Sequence, residues 1–168
     1  MRRIRYSVAM SLDGYIAGPK GEFDWINTDP DFDFSALYRQ FDTIVAGRGT
    51  FEPMVAAGRT SMPGMKTIVV STTLRPQDHP EVAILTRIEA LADLKASPGK
   101  DIWLFGGGKL FRSLAEVGIV DTVEVSVMPI LLGDGIPLAP NLSKWINLSL
   151  VKHKVYSSGA VSLDYAVS

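Results

Sequence analysis

The chain has 168 residues, 46% of them apolar and 21% charged, which suits one folded domain able to bury about 70% of its unfolded surface without covalent staples. Seventeen basic and eighteen acidic side chains leave a formal charge of −1, so no net field favours a nucleic-acid partner. No apolar run approaches the length of a membrane span, and the start at Met1-Arg2-Arg3-Ile4-Arg5 lacks the apolar core of a signal peptide, so a soluble cytoplasmic protein is expected.

Short β-branched runs alternate with helix-length amphipathic runs. Ile4 to Met10 reads as a strand that stops at the Asp–Gly turn in Ser11-Leu12-Asp13-Gly14, and 17–22 reads as loop. Asp33 to Phe41 predicts a short helix with Phe34, Leu37, Tyr38 and Phe41 on one face. Thr43 to Ala46 is a buried strand ended by Gly47, and a helix follows from Gly49 with Thr50 as N-cap. Arg59 to Gly64 connects to a strand over Lys66 to Val70, which ends at Ser71-Thr72-Thr73. A short strand at Val82 to Leu85 precedes a helix over Ile88 to Lys95, closed by Pro98-Gly99. Asp101 to Phe105 is a strand ended by Gly106-Gly107-Gly108, and the helix Lys109 to Glu116 stops at Gly118. A strand at Thr122 to Val127 leads into an irregular loop rich in Pro and Gly, from Pro129 to Pro140. Leu148 to Tyr156 and Ala160 to Val167 flank Ser157-Ser158-Gly159 as a terminal hairpin. Strands separated by helices imply an α/β sheet that is mostly parallel, made mixed by the final hairpin. No repeat or linker composition divides the chain, so a single domain over 1–168 is expected.

The absence of cysteine excludes disulfides, thiolate nucleophiles and Cys-ligated metals. The two histidines lie in Asp78-His79-Pro80 and Lys152-His153-Lys154, far apart and in solvated settings, so neither a metal site nor a Ser-His-Asp triad is expected. Redox chemistry in such a chain would rest on a bound cofactor and a small-molecule substrate. Three strand ends share one pattern, a buried strand followed by Gly or Ser/Thr: Gly47-Arg48-Gly49-Thr50, Ser71-Thr72-Thr73 and Gly106-Gly107-Gly108-Lys109. Ligands of open α/β sheets sit at the carboxyl ends of strands, where helix N-termini favour anions. Each alone also reads as an ordinary tight connection. The triple glycine permits close approach of a pyrophosphate, but Phe111 occupies the third glycine position of a Rossmann fingerprint, so that fold is not favoured. Arg48 with Ser71 and Thr72 suits a 2′-phosphate, or is a surface arginine beside turn hydroxyls.

Taken in order, these residues resemble the dihydrofolate reductase-like superfamily, and within it the reductase domain of riboflavin biosynthesis (the RibD C-terminal domain). Ala9-Met10-Ser11-Leu12-Asp13-Gly14-Tyr15-Ile16-Ala17 is similar to that group's A-M-S-L-D-G-x-I-A opening. Asp42 to Thr50 is similar to D-x-I-x-x-G-R-x-T, Phe105 to Gly108 to a glycine turn with a cis Gly–Gly peptide, and Gly133-Asp134-Gly135-Ile136-Pro137-Leu138 to G-D-G-x-P-L. The resemblance spans Ile4 to Val167. It implies a three-layer fold with helices flanking the sheet, and an NADPH-dependent reductase acting on a C=N or C=O group of a small heterocycle, imine or carbonyl, similar to 5-amino-6-(5-phosphoribosylamino)uracil reductase. It also implies cofactor contacts at Ala9, Ala17, Gly47, Arg48, Thr50, Ser71, Thr72, Gly106, Gly107, Gly108, Lys109 and Leu110, and a homodimer paired through C-terminal strands.

Two departures leave the substrate open. Ser7 stands where the riboflavin enzymes carry lysine, and Phe51-Glu52-Pro53-Met54-Val55 replaces their D-D-P segment. Asp31 and Asp33 lie near the carboxylate position of folate enzymes but read as helix-start residues. Asp13 is the candidate catalytic and substrate-binding residue, or a turn aspartate; Trp25 stacks on a flat substrate or fills a gap under the loop. The rival readings are a nucleotide-binding protein without turnover and a true dihydrofolate reductase.

Overall fold

The computed structural model describes all of residues 1–168. Strands β1 (Ile4–Ser11), β3 (Phe41–Gly47), β4 (Lys66–Val70), β5 (Ala83–Leu85), β6 (Asp101–Gly106), β7 (Thr122–Met128), β9 (Leu148–Val155) and β10 (Val161–Val167) form one eight-stranded sheet in the order β5-β4-β3-β6-β1-β7-β10-β9. The inner ladders are parallel, and β10 runs antiparallel to both β7 and β9. That is the mixed sheet expected from the alternation of strands and helices.

Side-chain alternation along each strand sorts residues onto two faces. On one face Ile4, Tyr6 and Leu104 pack with Leu91 of α3 (Ala90–Ala96) and with Leu110, Phe111 and Leu114 of α4 (Gly108–Glu116). On the other, Ile44 and Trp103 join Phe41 and Met65, with Leu37 and Tyr38 of α1 (Phe34–Tyr38) laid over them. Helices on both faces of the sheet make three layers. The remaining helix, α2 (Arg48–Ala56), leaves β3 directly and buries Phe51.

Three local expectations are corrected. The first helix ends at Tyr38, and Phe41 belongs to β3, where it is buried between the Trp103 ring at 5.3 Å and the Arg5 guanidinium at 4.7 Å. Thr50 does not cap α2; the N-cap is Gly47, which has no side chain to do so, and Thr50 lies inside the first turn. The segments around Ala17 and Pro137, read as loop, pair as a small antiparallel sheet of β2 (Tyr15–Ala17) and β8 (Ile136–Pro137). Gly135 is required there, because any Cβ would collide with the Ala17 carbonyl.

The outer edge also differs from expectation. The last strand, β10, lies between β7 and β9, so its edge is already covered. The exposed edge is β9, every residue of which faces solvent. No helix is long and apolar enough to cross a membrane.

Candidate active site

The β3 and β6 ladder ends at Ala46 opposite Gly106, so the helices that follow these strands start side by side. Gly47 N-caps α2 and Gly107 N-caps α4, and neither helix receives a side-chain cap. A Cβ on Gly47 would stand 3.7 Å from the Leu110 Cβ, which shows how closely the two first turns approach. Each helix start leaves N–H groups without intrahelical partners and a partial positive charge. Two such starts converging on one point have the chemistry to receive a polyanion.

The three consecutive glycines are not equivalent. Gly106 has φ +146°, a backbone region that side chains disfavour, and is joined to Gly107 by a cis peptide bond. At Gly108 a Cβ would run into the Pro137 carbonyl and the Pro140 ring. Gly107 meets neither constraint. Its φ of −103° suits any residue, and a Cβ there would lie 3.4 Å from Thr50 Oγ1, an ordinary contact. Thr50 thus faces the glycine turn from the first turn of α2.

Beside this turn lies an open polar cleft lined by Arg48, Ser71, Thr72, Thr73 and Thr86. Arg48 is about half exposed; its Nη1 donates to Thr73 Oγ1 at 2.9 Å, and its Nε stands 3.8 Å from a Glu52 carboxylate oxygen. Ser71 is buried and its Oγ accepts from the N–H groups of Thr73 and Leu74, so it shapes the loop. Thr72 is exposed in the cleft, and Lys109 is exposed on α4.

A second feature lies where β1 and β6 part. Their ladder holds three pairs, from Ile4 opposite Ile102 to Tyr6 opposite Leu104, although both strands continue. Past this point the Trp103 indole donates to the Ser7 carbonyl at 2.9 Å. A cavity of about 140 Å³ opens here, floored by Ser7, Val8 and Ala9 of β1 with Ser126 and Met128 of β7. Its walls include Phe34, Leu37 and Trp103, and it is roofed by 26–32 and closed by Tyr156 and Ala160 of the hairpin. Ala9 is the one expected cofactor residue that lines it.

Asp29 ties roof to hairpin. It is 5% exposed, and its carboxylate accepts from the Asp31 N–H at 2.9 Å and the Ser158 N–H at 3.0 Å. Hydrogen bonding from Ser158, then from Asp31, holds its carboxyl below the ordinary range. Asp33 caps α1 through the Ala36 N–H, the helix-start role read from its position.

Asp13 makes a clasp across two loops. Its oxygens accept from Ser11 Oγ at 2.6 Å and from the N–H groups of Leu132 and Gly133 at 3.1 and 2.8 Å. The Ser11 hydroxyl, then the Gly133 amide, lower its pKa to about 2, so it is a carboxylate at neutral pH. Trp25 does not line the cavity; its indole donates to the Glu22 carbonyl within its own loop. His79 packs edge-on to Phe51 and His153 lies on β9, both outside the cavity and the cleft.

The family model for the RibD C-terminal domain matches residues 2–162. The chain belongs to that family. Among its curated relatives, the uncharacterized protein YyaP of Bacillus subtilis is 37% identical, across 98% of this chain and 94% of its own length. A solved structure of a candidate riboflavin biosynthesis protein from Shewanella sp. PV-4 superposes with a TM-score of 0.82 at 28% identity, covering 100% of this chain and 99% of that one. Dihydrofolate reductase from Enterococcus faecalis, solved with NADP(H) and RAB-propyl, shares the fold at a TM-score of 0.73 and 18% identity, covering 99% and 96% of the two chains. The RibD-type resemblance and the dihydrofolate reductase-like fold expected from the motifs are therefore those of the protein.

Within this RibD-type domain, the structure gathers Gly47, Thr50, Gly106, Gly107, Gly108 and Leu110 at one point, with Arg48, Ser71 and Thr72 in the adjoining cleft. Ala17 lies in β2, against Gly135 of the G-D-G-x-P-L segment. Residue reading missed Thr73, the actual partner of Arg48, although it stands in the same Ser-Thr-Thr run. It also missed the cavity walls at Phe32, Trp103, Ser126 and Tyr156. Of these, Phe32 alone sits beside a helix already read as amphipathic; the others come together only through the sheet order.

Proposed function

We propose that this RibD-type domain is an NADPH-dependent reductase that transfers hydride to an unsaturated carbon of a small substrate. The observation that carries this reading is that cleft, glycine turn and cavity all lie toward the carboxyl ends of the parallel strands of one sheet. Arg48 and Thr73 would hold the 2′-phosphate, with a guanidinium supplying the charge and a hydroxyl the orientation. The converging N-termini of α2 and α4 would take the pyrophosphate, and Gly107 would let the backbone approach it, since nothing in the fold demands a glycine there. Bound NADPH supplies the hydride.

The residues around the cavity orient the substrate and exclude water. Ala9 lines the cavity floor on β1, so a nicotinamide held against it would face whatever Phe34 and Leu37 hold. Neither aspartate stores a proton for the substrate, because hydrogen bonds hold the Asp29 carboxyl below its ordinary range and Asp13 is ionised outside the cavity. Water can then supply the proton. The same facts disfavour a folate reductase, which wants a carboxylate free to face its ring.

Titration with NADPH and NADH, read by nicotinamide fluorescence, tests the cofactor assignment. NADPH should bind about tenfold tighter or more, as a charge-assisted contact of roughly 1.5–3 kcal/mol implies. Arg48→Ala should erase that preference while leaving NADH affinity close to that of the parent chain. Equal affinities in the parent chain would overturn the assignment.

A further inference from the structure

Resting on the reductase reading, we propose that the cavity takes a substrate with a single planar unsaturated ring, carrying neither phosphate nor carboxylate where it is enclosed. Size comes first. A cavity of about 140 Å³ is close to the ~150 Å³ that accommodates one benzene ring in a protein interior. A ribose phosphate on the same ring would have to project from its open side.

Shape agrees with size. The Phe32, Phe34, Trp103 and Tyr156 rings contribute flat apolar walls, which favour stacked or edge-on contact with another ring. Between them stand neutral hydrogen-bonding groups: the hydroxyls of Ser7, Thr28 and Ser126 and the amide of Asn27. These can read ring carbonyls or ring N–H groups without charge.

Charge decides the class. No lysine or arginine lines the cavity, so a buried phosphate or carboxylate would have no counter-ion. The single formal charge in the lining is the Asp29 carboxylate, which repels anions. The Asp31 and Ser158 N–H groups hold it in place, one on each oxygen. Glu124 lies opposite Ser7 on β7 but outside the lining, and the Arg5 guanidinium engages both its oxygens at 2.7 and 2.8 Å. Arg5 is thereby spent within the sheet. Lys154 lies outside the lining, with its Nζ 4.5 Å from the centre of the Tyr156 ring.

The test is isothermal titration of the NADP⁺-loaded protein with matched pairs of probes. Each pair joins a neutral monocyclic ring (uracil, benzamide, benzoquinone) to a carboxylate- or phosphoribosyl-bearing counterpart. Neutral members should bind at least about tenfold tighter than their anionic partners. Ser126→Leu, which fills the floor, should abolish that binding; Phe34→Ala, at a partly exposed wall position, should weaken it and serves if the first variant fails to fold. Anionic members binding as tightly as neutral ones would overturn the proposal, and loss of that binding in Lys154→Ala would place the anion at the rim instead. Failure of every neutral ring to bind would also overturn it. The cofactor reading is judged separately, by whether NADP⁺ alone raises the melting temperature. A protein that shows that rise yet prefers phosphorylated probes keeps the reductase reading and loses this one.

Discussion

At the scale of single residues, what matters is why each glycine of the turn is a glycine. Gly106 needs its φ of +146° and Gly108 has no room for a methyl group, so replacing either would damage the fold and say little about ligands. Gly107 separates the two questions. Gly107→Ala should leave the melting temperature of the free protein within about 2–3 °C of the parent, since its backbone angles suit alanine. NADPH at about a hundred times its Kd should raise the parent's melting temperature by roughly 5–10 °C, following from ~2.7 kcal/mol of linkage. In Gly107→Ala that rise should vanish, because the added methyl would stand between backbone and pyrophosphate. A variant that keeps the full rise removes the turn from the cofactor site. The run of three glycines was legible in the sequence as a ligand turn, but which of them answers to the ligand became visible only with the neighbours of each Cβ in place. Asp13 is the converse case: an Asp–Gly turn was readable, while its hold on Leu132 and Gly133, more than a hundred residues away, was not.

Among the elements, long strands and amphipathic helices could be read from periodicity because burial on one face imposes it. The β2–β8 pair could not, since three residues against two carry no rhythm, and it forms because Gly135 lets two loops touch. The cavity was illegible for a related reason. Ser7, Trp103, Ser126 and Tyr156 come from four strands or their ends, and no local pattern joins them. Sheet order also creates a charge problem that the sequence hides. Asp164 on β10 pairs directly with Glu124 on β7, and Lys152 of β9 flanks it on the other side. Burial, and then the facing Glu124, raise the Asp164 carboxyl, with Lys152 and Arg5 opposing. The folded chain therefore keeps this proton at a pH where the unfolded chain has lost it. Stability falls as pH climbs from about 4 through the raised value, and the penalty is fully present at neutrality. Asp164→Asn should raise the melting temperature at pH 7 by about 1–2 °C, since facing like charges cost on the order of 0.5 kcal/mol, and should gain nothing at pH 3. Thermal melts at both values check this; a loss at pH 7 would mean that the Lys152 pair outweighs the Glu124 repulsion.

The whole molecule presents one surface that a monomer leaves badly placed. On one face of the terminal hairpin, Leu148, Leu150 and Val155 of β9 stand across from Val167, Tyr165 and Val161 of β10. The three β9 residues are 42%, 54% and 69% exposed, enough to make this an apolar surface on an unpaired edge. The expectation of a homodimer began from β10 as the open edge. The sheet order transfers the argument to β9, whose free N–H and C=O groups can pair with the same strand of a second copy about a two-fold axis. A second copy would meet both needs at once, because an antiparallel β9–β9 contact would set each apolar row beside its own equivalent. Light scattering should give twice the 18.3 kDa of one chain at micromolar concentration. Leu150→Lys would bring like charges together across that axis at a site already exposed in the monomer, so it should yield a monomer that remains folded. Scattering near one chain's mass for the parent, or an unchanged dimer in Leu150→Lys, would take this edge out of the assembly.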